Sequence, residues 1–469
     1  MKNTTKQTSK APITLGKQRS YNEIVEFLDN NWTTNSSDLS LSCIKKLDTA
    51  FESLSQKQNI IVVNGTNGKS LTIHFAIQLL KEEGLKVGAF ASPHILLYNE
   101  RFNLQGESIS SKLFTEIANE VINTAEALEI TPNSYEILTI MALLYFKKND
   151  VDVILFESTD HPLISLFHPR ITAVTRVTLD NALPASQEVE VRIQKLLSTV
   201  KKGTHVVSAD QSKLNLQIML DVVKEKGGQW DMPIRKLAPL EYPYEQLHGR
   251  CAALAERISS IYVNDFANKN AVVVAGTLLT KQKGRRGRPT LEAKRQGDLN
   301  PKKTVEQFWK EEQQLLANRF QILDKEKPTI LLDTASNLDA FKNLLLGIRL
   351  LHYKRPLKGL TLLIGCNNND IDLTEFLKLL RYFFKKTSGN VMLCPIQALP
   401  GHSGGTPWDV EKVTNDTKSM KIKAKAYNNF KDGFEAACKS VDERHGLVIV
   451  TGSPSIVTEY WKYKGVKKL

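Results

Sequence analysis

The stretch from Asn59 to Glu83 restricts the fold more than any other part of the chain. A β-branched run, Ile60 to Val63, leads into Gly65-Thr66-Asn67-Gly68-Lys69-Ser70, and then into Leu71 to Glu83, whose apolar residues recur at helical spacing until Gly84. Strand, glycine-rich turn and helix in that order read as a phosphate-binding loop. The glycines let backbone N–H groups turn toward phosphate oxygens, and the helix N-terminus favours the negative charge. Lys69 neutralises the β/γ region and Ser70 can face Mg2+. A purely structural turn would need neither flank. The loop implies a nucleotide and no particular reaction.

The same alternation runs on either side. Helices are expected at Tyr21 to Asn30 and Leu39 to Leu54, then a strand at Lys86 to Phe90 and helices near Leu113 to Leu128 and Tyr135 to Lys147. Val151 to Phe156 reads as a strand, with further strands at Ile171 to Thr178 and Thr204 to Ser208 around a helix. The fold class is α/β, with a parallel-rich sheet covered by helices. We place the end of this nucleotide-binding domain (16–317) near residue 317. From Thr329 the pattern restarts: strand Thr329 to Leu332, helix Leu338 to Leu351, strand Leu360 to Ile364, helix Leu373 to Phe384, strand Leu447 to Thr451. These make a smaller C-terminal α/β domain (318–469).

The net charge of +13 raises the question of nucleic acid, yet Lys281 to Lys303 concentrates Lys and Arg against only Glu292 and Asp298. This basic insert reads as an exposed loop. Its Gly284-Arg285-Arg286-Gly287-Arg288-Pro289 resembles a minor-groove hook, but a single copy without aromatic interleaving is better read as a solvated loop, and nucleic acid is not the expected partner. Residues 1–15 read as a flexible basic tail without the apolar core of a secretory signal. No apolar run approaches the length that crosses a bilayer, so no membrane partner is expected. The cysteines Cys43, Cys251, Cys366, Cys394 and Cys438 are scattered without a Cys-x-x-Cys pair. That disfavours zinc and a disulfide framework and fits a reducing, cytoplasmic setting.

Glu157 ends an apolar strand, where an acidic metal ligand or base of a nucleotide site belongs. Residues Ala91 to Phe102, containing Ser92-Pro93-His94 and Asn99-Glu100-Arg101, are followed by Gly106-Glu107-Ser108-Ile109-Ser110. With the phosphate loop, this segment resembles the folylpolyglutamate synthase and dihydrofolate synthase branch of the Mur ligase superfamily. The resemblance runs from Tyr21 through Tyr145 to Glu157, a helix start at Asn270-Ala271, and Arg319-Phe320-Gln321, to Val448 to Ser453.

That resemblance implies a Mur-ligase-type central domain, a Rossmann-like second domain, and an active site between them. It implies ATP and Mg2+ as cofactors, with Gly65, Thr66, Asn67, Gly68, Lys69, Ser70, Arg319, Asp333 and Asn337 on the nucleotide. Ser70, Ser92, Glu157 and Asn181 would ligate metal. Lys69, Glu157 and Lys195 would be catalytic, Lys195 matching a carbamylated lysine after a one-residue shift. His94, Asn99, Glu100 and Arg101 would meet substrate. The implied reaction joins L-glutamate to a folate, or to dihydropteroate, through an acyl phosphate, in a monomer.

The pattern also breaks. Ser158 to Pro169 replaces a glycine-rich segment, and an Asp-His pair appears as Asp180-Asn181. The second-domain signature keeps Asp333 and Asn337 but loses a glycine and a histidine in Leu332 to Asn337. A catalytically impaired or reassigned nucleotide-binding paralogue therefore stays open beside the ligase, as does DNA association through the insert.

Overall fold

The computed structural model describes residues 16–32, 41–158, 162–178, 185–232, 245–267, 317–366, 371–397, 399–400 and 408–469. The expected basic tail, the basic insert, the helix start at Asn270-Ala271 and the Asp180-Asn181 pair lie outside the described residues.

Two largely parallel sheets organise the chain. The first contains β1 (Ile60–Asn64), β2 (Val87–Phe90), β3 (Phe102–Leu104), β4 (Glu107–Ser108), β5 (Val153–Glu157), β6 (Ile171–Val174), β7 (His205–Ser208) and β8 (Gln229–Asp231). Their spatial order is β4-β3-β2-β5-β1-β6-β7-β8, with only the β3 and β4 pairings antiparallel. β1 is central and every residue of it is buried. It pairs in parallel with β5 on one side, Val63 opposite Glu157, and with β6 on the other, Asn64 opposite Val174. Chain reversals after β1, β2, β5 and β6 therefore fall along one sheet edge, the usual place for a ligand in an open α/β sheet.

Helices cover both faces. On one side α1 (Tyr21–Asn30), α2 (Ser42–Ala50), α3 (Leu54–Lys57), α5 (Ser111–Ala127) and α6 (Ser134–Lys148) enclose a core that includes Phe90, Phe102, Phe114 and Phe156. Ser20 and Glu23 form a reciprocal capping box that starts α1. Residues Ser134 to Phe146 of α6 are buried all round, so this helix has no polar stripe. On the opposite face α4 (Lys69–Glu82) packs against α9 (Glu245–Asp265). Ala252, Ala253 and Ala255 are among the residues packed there. Two further helices, α7 (Ala185–Leu196) and α8 (Lys213–Glu225), flank the β6–β7 side of the sheet over a smaller core.

The single helix expected over Leu39 to Leu54 is instead α2 and α3. The chain reverses at Glu52 and Ser53, both left-handed at φ 63° and 57°, which no continuous helix tolerates. The strand expected to reach Thr178 stops at Val174. There the Thr175 N–H and hydroxyl both donate to Asn64 O, at 2.9 and 3.0 Å, and the next residue turns its carbonyl to the phosphate loop, accepting from Thr66 N.

The second sheet contains β9 (Gln321–Leu323), β10 (Thr329–Leu332), β11 (Leu360–Ile364), β12 (Asn390–Leu393), β13 (Ala424–Ala426) and β14 (Leu447–Thr451), ordered β13-β12-β11-β14-β10-β9. Only β9 is antiparallel. Helices α10 (Leu338–Lys354), α11 (Leu373–Phe384) and α12 (Val410–Ser419) cover one face, and α13 (Phe430–Lys439) and α14 (Pro454–Tyr463) cover the other. The result is the expected two-domain α/β fold, with a phosphate-loop domain and a Rossmann-like second domain. Among the described residues no helix is long and apolar enough to cross a membrane.

Candidate functional site

The phosphate loop joins β1 to α4. Gly65 and Gly68 adopt φ of +124° and +93°, where side chains are strained, and a Cβ on Gly65 would lie 2.2 Å from Thr175 Oγ1. The loop is also tied down from β6, because Thr66 N donates to Arg176 O at 2.6 Å. Lys69 Nζ folds back over it, donating to Gly65 O at 2.8 Å and Thr66 O at 3.3 Å.

Ser70 is the second residue of α4, and its hydroxyl donates to Glu157 Oε2 at 3.2 Å. Glu157 ends β5, is only 2% exposed, and also accepts from Ser92 N at 3.4 Å. Ser70 and Glu157 thus offer hydroxyl and carboxylate oxygens side by side, the hard donors that Mg2+ takes while keeping several waters. Among the described residues there is no cluster of three His, Cys, Asp or Glu. The chemistry of the donor set fits Mg2+ held by one or two protein oxygens and nucleotide phosphates. Ser92 Oγ lies close by but accepts from Arg101 Nη1 at 2.8 Å.

From the second domain, the turn before β9 brings Arg319 across, its Nη2 reaching Ser70 Oγ at 3.5 Å. Asn318 and Phe320, on either side of Arg319, are left-handed at φ 66° and 50°. Asp333 secures this turn by accepting from Phe320 N and Ala335 N, both at 2.8 Å. Burial pushes its carboxyl upward, opposed by the charge of Arg319 and by these two hydrogen bonds. Asn337 caps α10 and exchanges amide hydrogen bonds with Asn67 of the phosphate loop, 3.0 Å each way.

These elements enclose a cavity of about 490 Å³ whose walls include Lys69, Ser70, Glu157, Arg319, Asp333 and Asn337. The expected nucleotide and metal residues Thr66, Asn67, Gly68 and Ser92 line it too, while Gly65 supports the loop from behind.

Four expected substrate residues sit differently. His94, Asn99, Glu100 and Arg101 are not among the cavity-lining residues. Glu100 accepts from the backbone N–H groups of Ile95, Leu96 and Leu97 at 2.7 to 2.9 Å, so its carboxylate shapes its own loop. Asn99 is likewise taken up internally, accepting from Tyr21 Oη and donating to Ile109 O. Arg101 is 1% exposed, donates to His94 Nδ1 at 2.9 Å, and lies over the rings of Trp32 and Tyr98. Burial draws its guanidinium down to about 10, so it stays charged at neutral pH. These residues build the wall behind Ser92 instead of presenting themselves to the cavity.

Lys195, expected to be catalytic, stands apart from these groups. It is exposed near the end of α7 and does not line the cavity, because Ile193 and Leu196 take the buried side of that turn. The metal position Asn181 lies outside the described residues.

Two cavity cations were absent from the sequence reading. Arg176 follows β6, and Arg250 lies in α9 and donates to Ala209 O at 3.2 Å. Burial, and then the neighbouring Arg176 charge, pull the Arg250 guanidinium downward. A charged residue just past the carboxyl end of a strand was the available signal for Arg176. No motif marks Arg250.

No protein-family model matches the chain. Similarity is found to the dihydrofolate synthase/folylpolyglutamate synthase of Bacillus subtilis, 28% identical over 202 residues that cover 41% of this chain and 44% of the relative. The chain thus matches under half the length of that relative. Among solved structures, the Mycobacterium tuberculosis folylpolyglutamate synthase complexed with ADP superimposes with a TM-score of 0.71 at 16% identity, over 95% of this chain and 98% of that one. The bifunctional folylpolyglutamate synthase/dihydrofolate synthase of Yersinia pestis, complexed with AMPPNP and Mn ion, gives 0.70 at 20% identity over 96% and 100%.

Proposed function

We propose, from the premise that this chain belongs to the folylpolyglutamate synthase and dihydrofolate synthase family as a divergent member, that it is an ATP-dependent ligase adding L-glutamate to a folate. The carrying observation is the convergence of Lys69, Ser70 and Glu157 from one domain with Arg319 and Asp333 from the other around one cavity. ATP fits this arrangement, since the loop N–H groups, Lys69 and Arg319 bring positive charge to a polyphosphate from two sides.

In the proposed reaction an oxygen of the folate carboxylate attacks the γ-phosphorus. The bond from that phosphorus to the β-bridging oxygen breaks, and ADP departs. The glutamate amine then attacks the carbonyl carbon of the acyl phosphate, phosphate leaves with the electron pair of the cleaved C–O bond, and the amine gives its proton to solvent. Lys69 offsets charge as two anions approach, and Arg319 reaches the same region from the opposite wall. Bound Mg2+, held by Ser70 and Glu157 with Ser92 alongside, would draw charge from the β and γ oxygens. Closure of the second domain over the loop keeps water from the acyl phosphate. Such an enzyme would work as a monomer in the cytoplasm, where the five free thiols stay reduced.

One observation favours a second reading, a nucleotide-binding paralogue without turnover: Lys195 stands outside the cavity. Product mass separates the two. Incubation with MgATP, L-glutamate and either tetrahydrofolate or dihydropteroate should yield the substrate extended by one glutamyl residue. Unaltered substrates beside intact ATP binding would overturn the ligase reading in favour of the paralogue.

A further inference from the structure

One carboxylate spans the cleft and touches both the phosphate loop and its neighbour. Asp339, in the first turn of α10, places Oδ1 2.9 Å from Arg176 Nη2, just past β6. Its Oδ2 accepts from Asn67 Nδ2 at 2.9 Å, beside the reciprocal Asn67–Asn337 pair. Arg176 is itself bonded to the loop through its carbonyl, which accepts from Thr66 N. The Asp339 side chain is only 10% exposed, against 40% for Arg176. A carboxylate so shielded from water depends on its partners.

We infer that Arg176 and Asp339 form an interdomain clasp, two positioning residues that hold the second domain in the orientation that brings Arg319 to Ser70. Their effect on turnover rests on the ligase reading, whereas their effect on domain orientation does not. Loss of the pair leaves α10 tied to the loop by the Asn67 hydrogen bonds alone, so Arg319 is held less firmly against Ser70 while the loop keeps its own Lys69 and backbone groups for nucleotide.

The test is a double-mutant cycle on the full chain with Arg176→Met and Asp339→Asn; the latter keeps an oxygen for Asn67. Each single variant should lower kcat about tenfold, and the double variant by about the same factor, because both remove one interaction. Kd for ATP should move by less than about threefold, and Arg176→Lys should recover part of kcat. Small-angle scattering should give a larger radius of gyration for both single variants than for the wild type. A hundredfold loss in the double variant, or a loss of ATP affinity matching the loss of kcat, would overturn the clasp and make the residues independent nucleotide contacts. If the wild type shows no turnover, the ligase reading fails by itself; scattering then decides the clasp, and unchanged radii in both variants would refute it.

Discussion

Replacing Gly65 by alanine tests whether the phosphate loop is as tightly built as its contacts state. Its φ of +124° disfavours any L side chain, and the new Cβ would lie 2.2 Å from Thr175 Oγ1, 2.9 Å from Arg176 O and 3.0 Å from Arg176 N. The backbone conformation alone costs about 1–3 kcal/mol. Displacing the Thr175 hydroxyl from Asn64 O adds about 1 kcal/mol. The expected destabilisation is therefore about 2–4 kcal/mol. Gly84 is the control, with φ +80° and nothing within 4 Å of its would-be Cβ, so Gly84→Ala should cost only about 1–2 kcal/mol. Urea unfolding of both variants beside the wild type measures the difference. ATP binding should also weaken about tenfold or more in Gly65→Ala and stay unchanged in Gly84→Ala. Equal destabilisation in the two variants, within about 0.5 kcal/mol, would refute the claim that β6 braces the loop.

Further outcomes follow from other groups. Burial holds the His74 imidazole of α4 down to about 4 from an ordinary 6.5, so between these values the unfolded chain binds more protons. That contribution is complete above pH 6.5 and declines toward pH 4 by up to about 1.4 kcal/mol per pH unit; urea titrations from pH 7 to 5 should show the slope, and His74→Phe should flatten it. Glu100→Gln leaves one oxygen for three backbone donors and should destabilise by about 2 kcal/mol, while disordering the Ile95 to Leu97 loop in hydrogen exchange. Glu157→Gln keeps an acceptor for Ser70 but removes the charge. Calorimetry should then find ATP affinity without Mg2+ nearly unchanged and the Mg2+-dependent gain reduced about tenfold.

The parts of this architecture that were legible in the sequence carry strong local signals. The β-branched run Ile60 to Val63 is followed by glycines that permit positive φ, and a single strand-loop-helix unit leaves few alternatives. Helix α9 was not read, although its buried Leu254, Ile258, Ile261 and Tyr262 follow helical spacing; its small residues Ala252 and Ala253 give a weak apolar signal, and their value lies in packing against α4. Glu100 was placed on the substrate side by the resemblance alone, and only coordinates show three backbone N–H groups pointing at its carboxylate. Arg176 and Asp339 are far apart in sequence. Their meeting depends on how one domain sits on the other, which no local pattern encodes.

The central claim is tested most directly by ADP release from the purified chain with MgATP and L-glutamate, with and without tetrahydrofolate or dihydropteroate, beside Lys69→Ala. The account predicts release that requires the folate or pteroate substrate, matches product one for one, and disappears in the variant. Equal silence from both proteins, with the wild type alone still binding ATP, would contradict it.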